Sequence, residues 1–220
     1  MTFRGVVFDF NGTLLWDTQL HNRAWDCFLD SHHISLTNDR KNEIIHGKNN
    51  NIILDTLFNR KLSQAEQDQY VLQKESIYQQ LYLVDEIGYA PGAAYFIRYL
   101  KQQHIPYAIA TASGIENIDF YFSRLQLGSF IERQYVIYNN FRIKSKPDPE
   151  IFQLAIQKIG LKGAETVIFE DSYAGIEAAE RAGAGKIVIV NSTGADYSRY
   201  SHDVITDFGQ VNRNIFQGHP

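Results

Sequence analysis

Short apolar runs rich in β-branched residues recur along this 220-residue chain. Runs of this kind, without alternating polar residues, are typical of strands that are buried on both faces of a parallel sheet. Helical patterns with one apolar face separate most of the runs, and strands that alternate with helices connect through right-handed crossovers. The pattern therefore predicts an α/β fold, a doubly wound parallel sheet, with strands at residues 5–10, 107–111, 135–139, 166–171 and 186–191.

The pattern changes between the first two predicted strands, where several helical patterns follow one another without a strand. Ser63 and Glu66 have the spacing of a capping box, which marks the start of a long helix. An all-helical insertion in an α/β core is the natural interpretation. We therefore predict an inserted helical cap domain at residues 16–90, and a core domain made of residues 1–15 and 91–220.

Composition and charge exclude some classes of function. The formal net charge is -4 and no basic cluster is suited to a phosphate backbone, so we expect no nucleic-acid partner. No stretch approaches the roughly 18–20 apolar residues of a membrane span, and the first residues lack a signal-peptide core. We expect a soluble, cytoplasmic protein that is a monomer or a homodimer. The single cysteine, Cys27, lies among apolar residues at helical spacing and is predicted to be a buried structural thiol.

Polar residues follow four of the predicted strands at the same edge of the sheet. In an open parallel sheet, ligands bind at the carboxyl ends of the strands, so these residues are the candidates for a functional site. They are Asp9, Asn11 and Thr13, with Gly12 between them, at the end of the first strand, Thr111 and Ser113, on either side of Ala112, at the end of the second, Lys146 after the third, and Glu170, Asp171 and Ser172 at the end of the fourth.

These segments together resemble the haloacid dehalogenase superfamily. The closest likeness is to its β-phosphoglucomutase and phosphatase branch, which has a small helical cap after the first motif. The resemblance covers nearly the whole chain and rests on "VFDFNGTL", "YAPGAAYFIRYLKQQHIPYAIATAS", "KPDPEIF" and "EDSYAGIEAAERAG" in this order. One such motif alone would be weak evidence, whereas four in order at matching strand ends are specific. The resemblance implies a Rossmann-like core and a phosphatase-like hydrolase that acts on a small phosphorylated metabolite.

The resemblance also implies roles for individual residues. Asp9 would be the nucleophile that forms an aspartyl-phosphate. Mg2+ would be held by the Asp9 side chain, the main-chain carbonyl of Asn11 and the Asp171 side chain, with Glu170 orienting the metal site from outside. The residues that would bind the phosphoryl group are Gly12, Thr111, Ala112, Ser113 and Lys146.

Asn11 departs from the commonest pattern of this family, in which an aspartate at this position carries the proton. General acid–base catalysis contributes roughly 10²- to 10⁴-fold, and an amide cannot supply it. Three alternatives follow. The leaving group needs no protonation, as in an acyl phosphate; or His21, on the first cap helix, supplies the proton; or the protein is a slow or inactive sensor that binds a phosphorylated ligand.

The cap is expected to contribute to substrate selection, because a cap closes over the nucleophile. His46, Lys48 and Asn50 lie in a polar stretch of the predicted cap and are our candidates for contacts with the substrate. In related hexose-phosphate mutases an arginine stands at the position of Asn50. A sugar-phosphate mutase is therefore an alternative function, although Asn11 and Asn50 both count against it.

Overall fold

A computed structural model describes residues 2–85, 87–140 and 142–216 of the chain. Within these residues, six strands form one parallel sheet in the order β3-β2-β1-β4-β5-β6. The strands are β1 (Gly5–Phe8), β2 (Tyr107–Thr111), β3 (Val136–Tyr138), β4 (Thr166–Glu170), β5 (Lys186–Val190) and β6 (Asp203–Ile205).

The five predicted strands and the doubly wound parallel sheet are confirmed. The sixth strand, β6, was not predicted, because it has only three residues, two of them exposed, and lacks a buried apolar run. Phe8 and Phe169 pack into the apolar cluster on one face of the sheet, and Val7 and Ile168 pack into the cluster on the other face. The central strands are therefore buried on both sides, as their continuous apolar pattern predicted.

Helices cover both faces of the sheet. After the last helix of the inserted region, the chain forms four further helices and five short 3-10 helices among the described residues. The longer helices are α5 (Ala93–Gln102), α6 (Ile115–Arg124), α7 (Glu150–Lys158) and α8 (Tyr173–Arg181). The 3-10 helices are Leu127–Ser129, Arg133–Tyr135, Gly163–Glu165, Phe208–Gln210 and Arg213–Ile215.

The described residues between β1 and α5 form four helices and no strand of the sheet. These are α1 (Thr18–Ser31), α2 (Asn38–Ile44), α3 (Asn50–Leu57) and α4 (Gln64–Val84). Trp25, Phe28 and Val71 belong to a separate apolar cluster that holds these helices together. The capping box of Ser63 and Glu66 is formed at the start of α4. A helical insertion is thus present, while its limits as a domain at residues 16–90 stay a prediction.

Two chain segments connect the inserted helices to the sheet side by side. Leu15 pairs with Tyr89 in an antiparallel bridge, and the Ala90 N–H donates to the Leu14 carbonyl at 2.8 Å. None of the described helices has the length and apolar sequence needed to cross a membrane.

The prediction for Cys27 is wrong, because the structure shows this residue exposed. Trp25 and Phe28 are buried on the apolar face of α1, and Cys27 lies between them in sequence. Each residue of an α-helix advances by about 100°, so a residue beside a buried position can point to solvent.

Candidate active site

The carboxyl ends of β1, β2 and β4 meet the inserted helices at a cavity of about 100 Å³. Because β1 lies at the centre of the sheet, its end is adjacent to those of β2 and β4. The structure therefore brings together most of the predicted site residues. Those that line the cavity are Asp9, Asn11, Thr111, Ala112, Ser113, Glu170 and Asp171 from the sheet side, and His21, His46, Lys48 and Asn50 from the helical side.

Lys146 lies behind the cavity and joins two of its carboxylates. Its Nζ donates to Asp9 Oδ1 at 2.6 Å and to Glu170 Oε2 at 2.7 Å, and its side chain is buried. Burial alone would lower the pKa of this lysine, but the charges of Asp9 and Glu170 and their hydrogen bonds raise it. A buried ammonium with two carboxylate partners is held in one position, so it provides a fixed positive charge beside Asp9.

Three carboxylates form a compact acidic cluster at the sheet side of the cavity. Asp9, Glu170 and Asp171 each offer an oxygen atom, and these atoms lie within 4.8 Å of one another. Burial, with the charge of Glu170, raises the pKa of Asp9 to about 7 in spite of Lys146. Burial and the charges of Glu170 and Asp9 also raise the pKa of Asp171 well above its usual range.

The acidic cluster fits a divalent cation such as Mg2+. Three acids face one lysine, so negative charge is in excess, and Mg2+ prefers oxygen ligands. Glu170 Oε1 accepts hydrogen bonds from the main-chain N–H groups of Asp171 and Ser172, at 3.2 and 2.9 Å. With Lys146 on its other oxygen, Glu170 is placed to hold the loop of Asp171 in position, whereas Asp9 and Asp171 are the better candidates for direct ligands.

Gly12 allows the chain to turn closely past Asp171. Its φ is +83°, a conformation that favours glycine, and a Cβ there would lie 2.2 Å from Asp171 Oδ2. Thr13 then donates its hydroxyl to Asp171 Oδ1 at 3.1 Å. Gly12 therefore supports the site through its backbone, although it does not line the cavity.

Asn11 connects the end of β1 to the loop after β2. Its Oδ1 accepts from the hydroxyls of Ser113, at 2.7 Å, and Thr111, at 3.3 Å. Its Nδ2 donates to Asp17 Oδ2 and to the Tyr121 hydroxyl, each at 2.7 Å. The carboxamide is thus held by four groups.

Asp17 was not recognised from the sequence as part of this site. Burial alone would raise its pKa, but the contact with His21 and hydrogen bonds from Tyr78 and Asn11 lower it below its usual value. A single aspartate before a predicted helix has the pattern of an ordinary N-cap. The local sequence therefore does not indicate that Asp17 belongs to the site.

His21 lies between Asp17 and Lys74. Lys74 Nζ lies 2.9 Å from Nδ1 of the His21 ring. Nε2 lies 3.3 Å from Asp17 Oδ2, outside good hydrogen-bond alignment. The ring stacks on Tyr78 with centroids 4.0 Å apart. Both nitrogens therefore face groups of the protein.

A buried ion pair forms the helical wall of the cavity, and it too was missed. Lys74 Nζ contacts both oxygens of Glu75, at 3.1 and 3.2 Å. Asn50 donates to Glu75 Oε1 at 2.6 Å and Asn117 donates to Oε2 at 2.7 Å. Burial opposes ionisation of Glu75, but Lys74, His21 and the two amides hold its pKa below the usual value. Adjacent Lys and Glu residues in a predicted helix have the same sequence pattern whether they are buried or exposed to solvent, so this pair could not be recognised.

The predicted cap contacts occupy different environments. His46 lines the cavity, and its Nε2 is buried with no hydrogen-bond partner among the described residues. Burial, and the charges of His21 and Lys41, lower the pKa of His46 to about 4. Lys48 also lines the cavity, while its Nζ donates to the Glu43 carbonyl.

The chain is similar in sequence to several known proteins. A family model described as haloacid dehalogenase-like hydrolase matches residues 3–183. Fructose-1-phosphate phosphatase YqaB of Escherichia coli is 28% identical over 82% of this chain and 93% of its own length. Beta-phosphoglucomutase of Bacillus subtilis is 27% identical over 82% of this chain and 80% of its own length.

A solved structure agrees closely with the fold. The crystal structure of a HAD hydrolase, family IA, variant 3, from Entamoeba histolytica superposes with a TM-score of 0.84. The match covers 98% of this chain and 97% of that chain, at 27% sequence identity. The likeness therefore extends over the sheet and the inserted helices together.

Proposed function

Because the chain belongs to the haloacid dehalogenase-like hydrolase family, we propose that it is a Mg2+-dependent phosphatase that acts on a small phosphorylated metabolite through Asp9. The observation that carries this proposal is the position of Asp9. Its carboxylate lies at the end of β1, bonded to Lys146, in a cavity that also holds the carboxylate of Asp171. The names of the relatives, a sugar phosphatase and a sugar-phosphate mutase, support a phosphorylated sugar or a similar metabolite as the substrate.

The proposed reaction proceeds in two steps. A carboxylate oxygen of Asp9 attacks phosphorus, the bond from phosphorus to the leaving oxygen breaks, and an aspartyl-phosphate forms. Water then attacks phosphorus, releases inorganic phosphate and restores Asp9. Lys146 reduces the repulsion between the Asp9 carboxylate and the phosphoryl oxygens. The loop of Thr111, Ala112 and Ser113, at the end of β2, binds the phosphoryl group.

Mg2+ would be held by the Asp9 side chain, the main-chain carbonyl of Asn11 and Asp171, and when bound it would supply positive charge that stabilises the phosphoryl group in the transition state. Since only a main-chain oxygen is used at residue 11, an asparagine there leaves this set of ligands complete. Glu170 keeps the loop of Asp171 in place through its hydrogen bonds to that loop.

The cavity of about 100 Å³ is lined by Asp9, so we assign the phosphoryl group to it. A second cavity, of about 250 Å³, shares His46, Asp171 and Ser172 with the first, and we assign the leaving group to it. The neutral imidazole of His46, with Nε2 unpartnered among the described residues, would form a hydrogen bond to a hydroxyl of this group.

The contacts of Asn11 and His21 favour the first of the three alternatives, a leaving group that needs no protonation. The Asn11 carboxamide has no proton to transfer, and both nitrogens of His21 face Lys74 and Asp17. We therefore expect fastest turnover with substrates whose leaving oxygen needs little protonation, such as acyl phosphates and phosphates at an anomeric carbon.

Phosphate release tests this proposal. Purified protein with Mg2+ is assayed on an acyl phosphate, an aryl phosphate, an anomeric sugar phosphate and a primary sugar phosphate, beside an Asp9→Asn variant. Asp68→Asn, an exposed position on α4, is the matched control. We expect release by the wild type and the Asp68→Asn variant, with the acyl phosphate fastest. No release above that of Asp9→Asn on any substrate would contradict the proposal and support the sensor alternative.

A mutase function is the second candidate, because a β-phosphoglucomutase is among the relatives. Asn50, at the position where related mutases have an arginine, donates a hydrogen bond to Glu75. We therefore expect hydrolysis rather than isomerisation of a hexose 1-phosphate. Formation of hexose 6-phosphate, followed by a coupled dehydrogenase assay, would favour the mutase. A cytoplasmic location and a monomeric or homodimeric state stay predictions.

A further inference from the structure

Asp17 is the N-cap residue of α1, yet its side chain does not cap that helix. No hydrogen bond joins the side chain to the helix backbone, and the residue is fully buried. An N-cap carboxylate ordinarily accepts from the second or third N–H of its helix. Here Oδ1 accepts from the Gly12 N–H at 3.1 Å, and Oδ2 accepts from the Tyr78 hydroxyl at 2.6 Å. The carboxylate therefore points back to the strand end that carries Asp9.

The carboxamide of Asn11 is the link between this carboxylate and the loop after β2. Its Nδ2 lies 2.7 Å from Asp17 Oδ2. Its Oδ1 accepts from the hydroxyls of Ser113 and Thr111. An amide has donors at one end and an acceptor at the other, and this arrangement uses both.

We propose that Asp17 is a positioning residue that requires an amide at residue 11 and, through that amide and the hydroxyls it accepts from, fixes the position of the loop of Thr111, Ala112 and Ser113. The inference rests on the proposed function, in which this loop binds the phosphoryl group. Residue 11 then serves to connect the start of α1 with the phosphate-binding loop, and proton transfer is not its role. This accounts for an asparagine at a position where an acid would be the usual catalyst.

An aspartate at residue 11 would not fit beside Asp17. An ionised carboxylate has no hydrogen to donate to Asp17 Oδ2, and two carboxylates would face each other at hydrogen-bond distance in a buried place, where like charges repel strongly. Exchanging the two residues, with Asn11→Asp and Asp17→Asn in one chain, restores a donor opposite an acceptor. The hydroxyls of Tyr78 and Tyr121 can rotate to suit this reversed pair, because a hydroxyl both donates and accepts.

The experiment is a double-mutant cycle on this pair. Asn11→Asp, Asp17→Asn and the combined variant are compared with the wild type. The measurements are the Kd of inorganic phosphate with Mg2+, by calorimetry, and kcat and KM on 4-nitrophenyl phosphate. We expect each single variant to bind phosphate about tenfold more weakly. Together with the recovery in the combined variant, these losses correspond to a coupling in the usual range for contacting groups. We expect the combined variant to return to within about threefold of the wild type.

Tyr78→Phe separates positioning from stability. It removes the Tyr78 hydroxyl, which donates to Asp17 Oδ2 at 2.6 Å, and leaves Asn11, the other donor to this oxygen, in place. We expect a lower midpoint of thermal unfolding, because a buried hydrogen bond is lost, with a phosphate Kd within about twofold of the wild type. A phosphate Kd that weakens in Tyr78→Phe as much as in Asp17→Asn would reduce the role of Asp17 to stability alone and overturn the proposal.

Two further results would also overturn it: a wild-type phosphate Kd in Asn11→Asp, or losses in the single variants that simply add in the combined variant. Should Asn11→Asp fail to fold, the combined variant still decides, since its recovery supports the pairing and its failure contradicts it. The proposed function fails separately, when the wild type binds phosphate but releases none from any substrate. In that case the phosphate affinities of the four proteins still test the role of Asp17.

Discussion

The two walls of the cavity differ in how their charges are balanced. On the sheet side, Asp9, Glu170 and Asp171 share one lysine, and burial raises the pKa of Asp9 and of Asp171. On the helical side, Glu75 is matched by Lys74 and by amide donors, and its pKa lies below the usual value.

This difference separates the chemistry of the site from its selectivity. An acidic cluster in excess of its counter-charge attracts a cation and, with it, a phosphate. On the helical side the charges already neutralise one another, so this wall contributes only its shape and a few hydrogen bonds to substrate binding. The sheet side should therefore govern kcat, and the helical side should govern which leaving group is accepted.

The strongest test of this contrast is Lys146→Gln. The substitution leaves Asp9 and Glu170 facing each other without the buried ammonium, so we expect kcat to fall by about 10²- to 10³-fold on every substrate, the size typical for loss of one preorganised electrostatic group. Phosphate release with Mg2+ measures the effect.

Lys144→Gln is the matched control for that experiment. Lys144 lies in the same loop, its side chain is 73% exposed, and its partner Asp148 is 3.5 Å away. We expect wild-type activity from this variant. Equal losses in the two lysine variants would indicate a general effect of charge near the site, and would remove Lys146 from the mechanism.

The next largest effect is expected for Lys74→Met, and it should fall on stability. The substitution leaves Glu75 buried without its cation, which typically costs about 3–5 kcal/mol. Urea unfolding measures this cost. On 4-nitrophenyl phosphate, which has a simple leaving group, we expect kcat to change less than for Lys146→Gln.

A second substitution tests whether the ion pair is the cause. Adding Glu75→Gln to Lys74→Met removes both charges, while Asn50 and Asn117 keep an acceptor on the side chain. We expect part of the lost stability to return. If the two losses add instead, Lys74 stabilises the helices through its contacts with the rings of Trp25 and Tyr78.

The same contrast explains what could be predicted from the sequence. Asp9, Thr111 and Asp171 end buried strands, and the order of parallel strands places neighbouring ends together, so the sheet side followed from local patterns. Lys74 and Glu75 lie on α4 of the inserted region and Asn117 lies on α6 after β2, so these residues meet only where the two helices pack together. Nothing in their local sequence distinguishes them from exposed polar residues.

Asn11 and Asp17 illustrate the same limit at closer range. Asn11 was recognised as unusual because it stands in a motif, but its partner was not, since an aspartate before a helix has an ordinary explanation. The Asp17 side chain accepts a hydrogen bond from Tyr78, which is 61 residues away in the chain. Long-range contacts of this kind leave no pattern in the local sequence.

The raised pKa of Asp9 predicts that Mg2+ binds more tightly at higher pH. Because the pKa of Asp9 is raised from its usual 3.8 to about 7 in the folded protein, Asp9 is mostly protonated at pH 6 and mostly ionised at pH 8. A proton on Asp9 competes with Mg2+, so we expect the affinity to rise by about tenfold between these values. Isothermal titration at both pH values tests this.

The raised pKa of Asp9 also determines how the stability of the folded protein changes with pH. The folded protein holds a proton on Asp9 that the unfolded chain has already released above pH 4, so without Mg2+ this group lowers stability as pH rises from about 4 to about 7. Mg2+ should therefore raise the midpoint of thermal unfolding more at pH 8 than at pH 6. An equal effect of Mg2+ at both values would place the cation away from Asp9.

The smallest effect is expected for His46→Ala. This variant tests whether the helical side of the cavity only selects the leaving group. His46 faces both cavities, and its Nε2 is buried with no hydrogen-bond partner among the described residues. If this nitrogen binds the leaving group, its loss should raise KM for a sugar phosphate by about five- to tenfold, because one hydrogen bond contributes roughly 0.5–1.5 kcal/mol. His202→Ala, which removes a surface contact with Glu180, is the control. A fall in kcat on an acyl phosphate with KM unchanged would instead assign His46 to the chemical step, and would show that the helical side does more than select the leaving group.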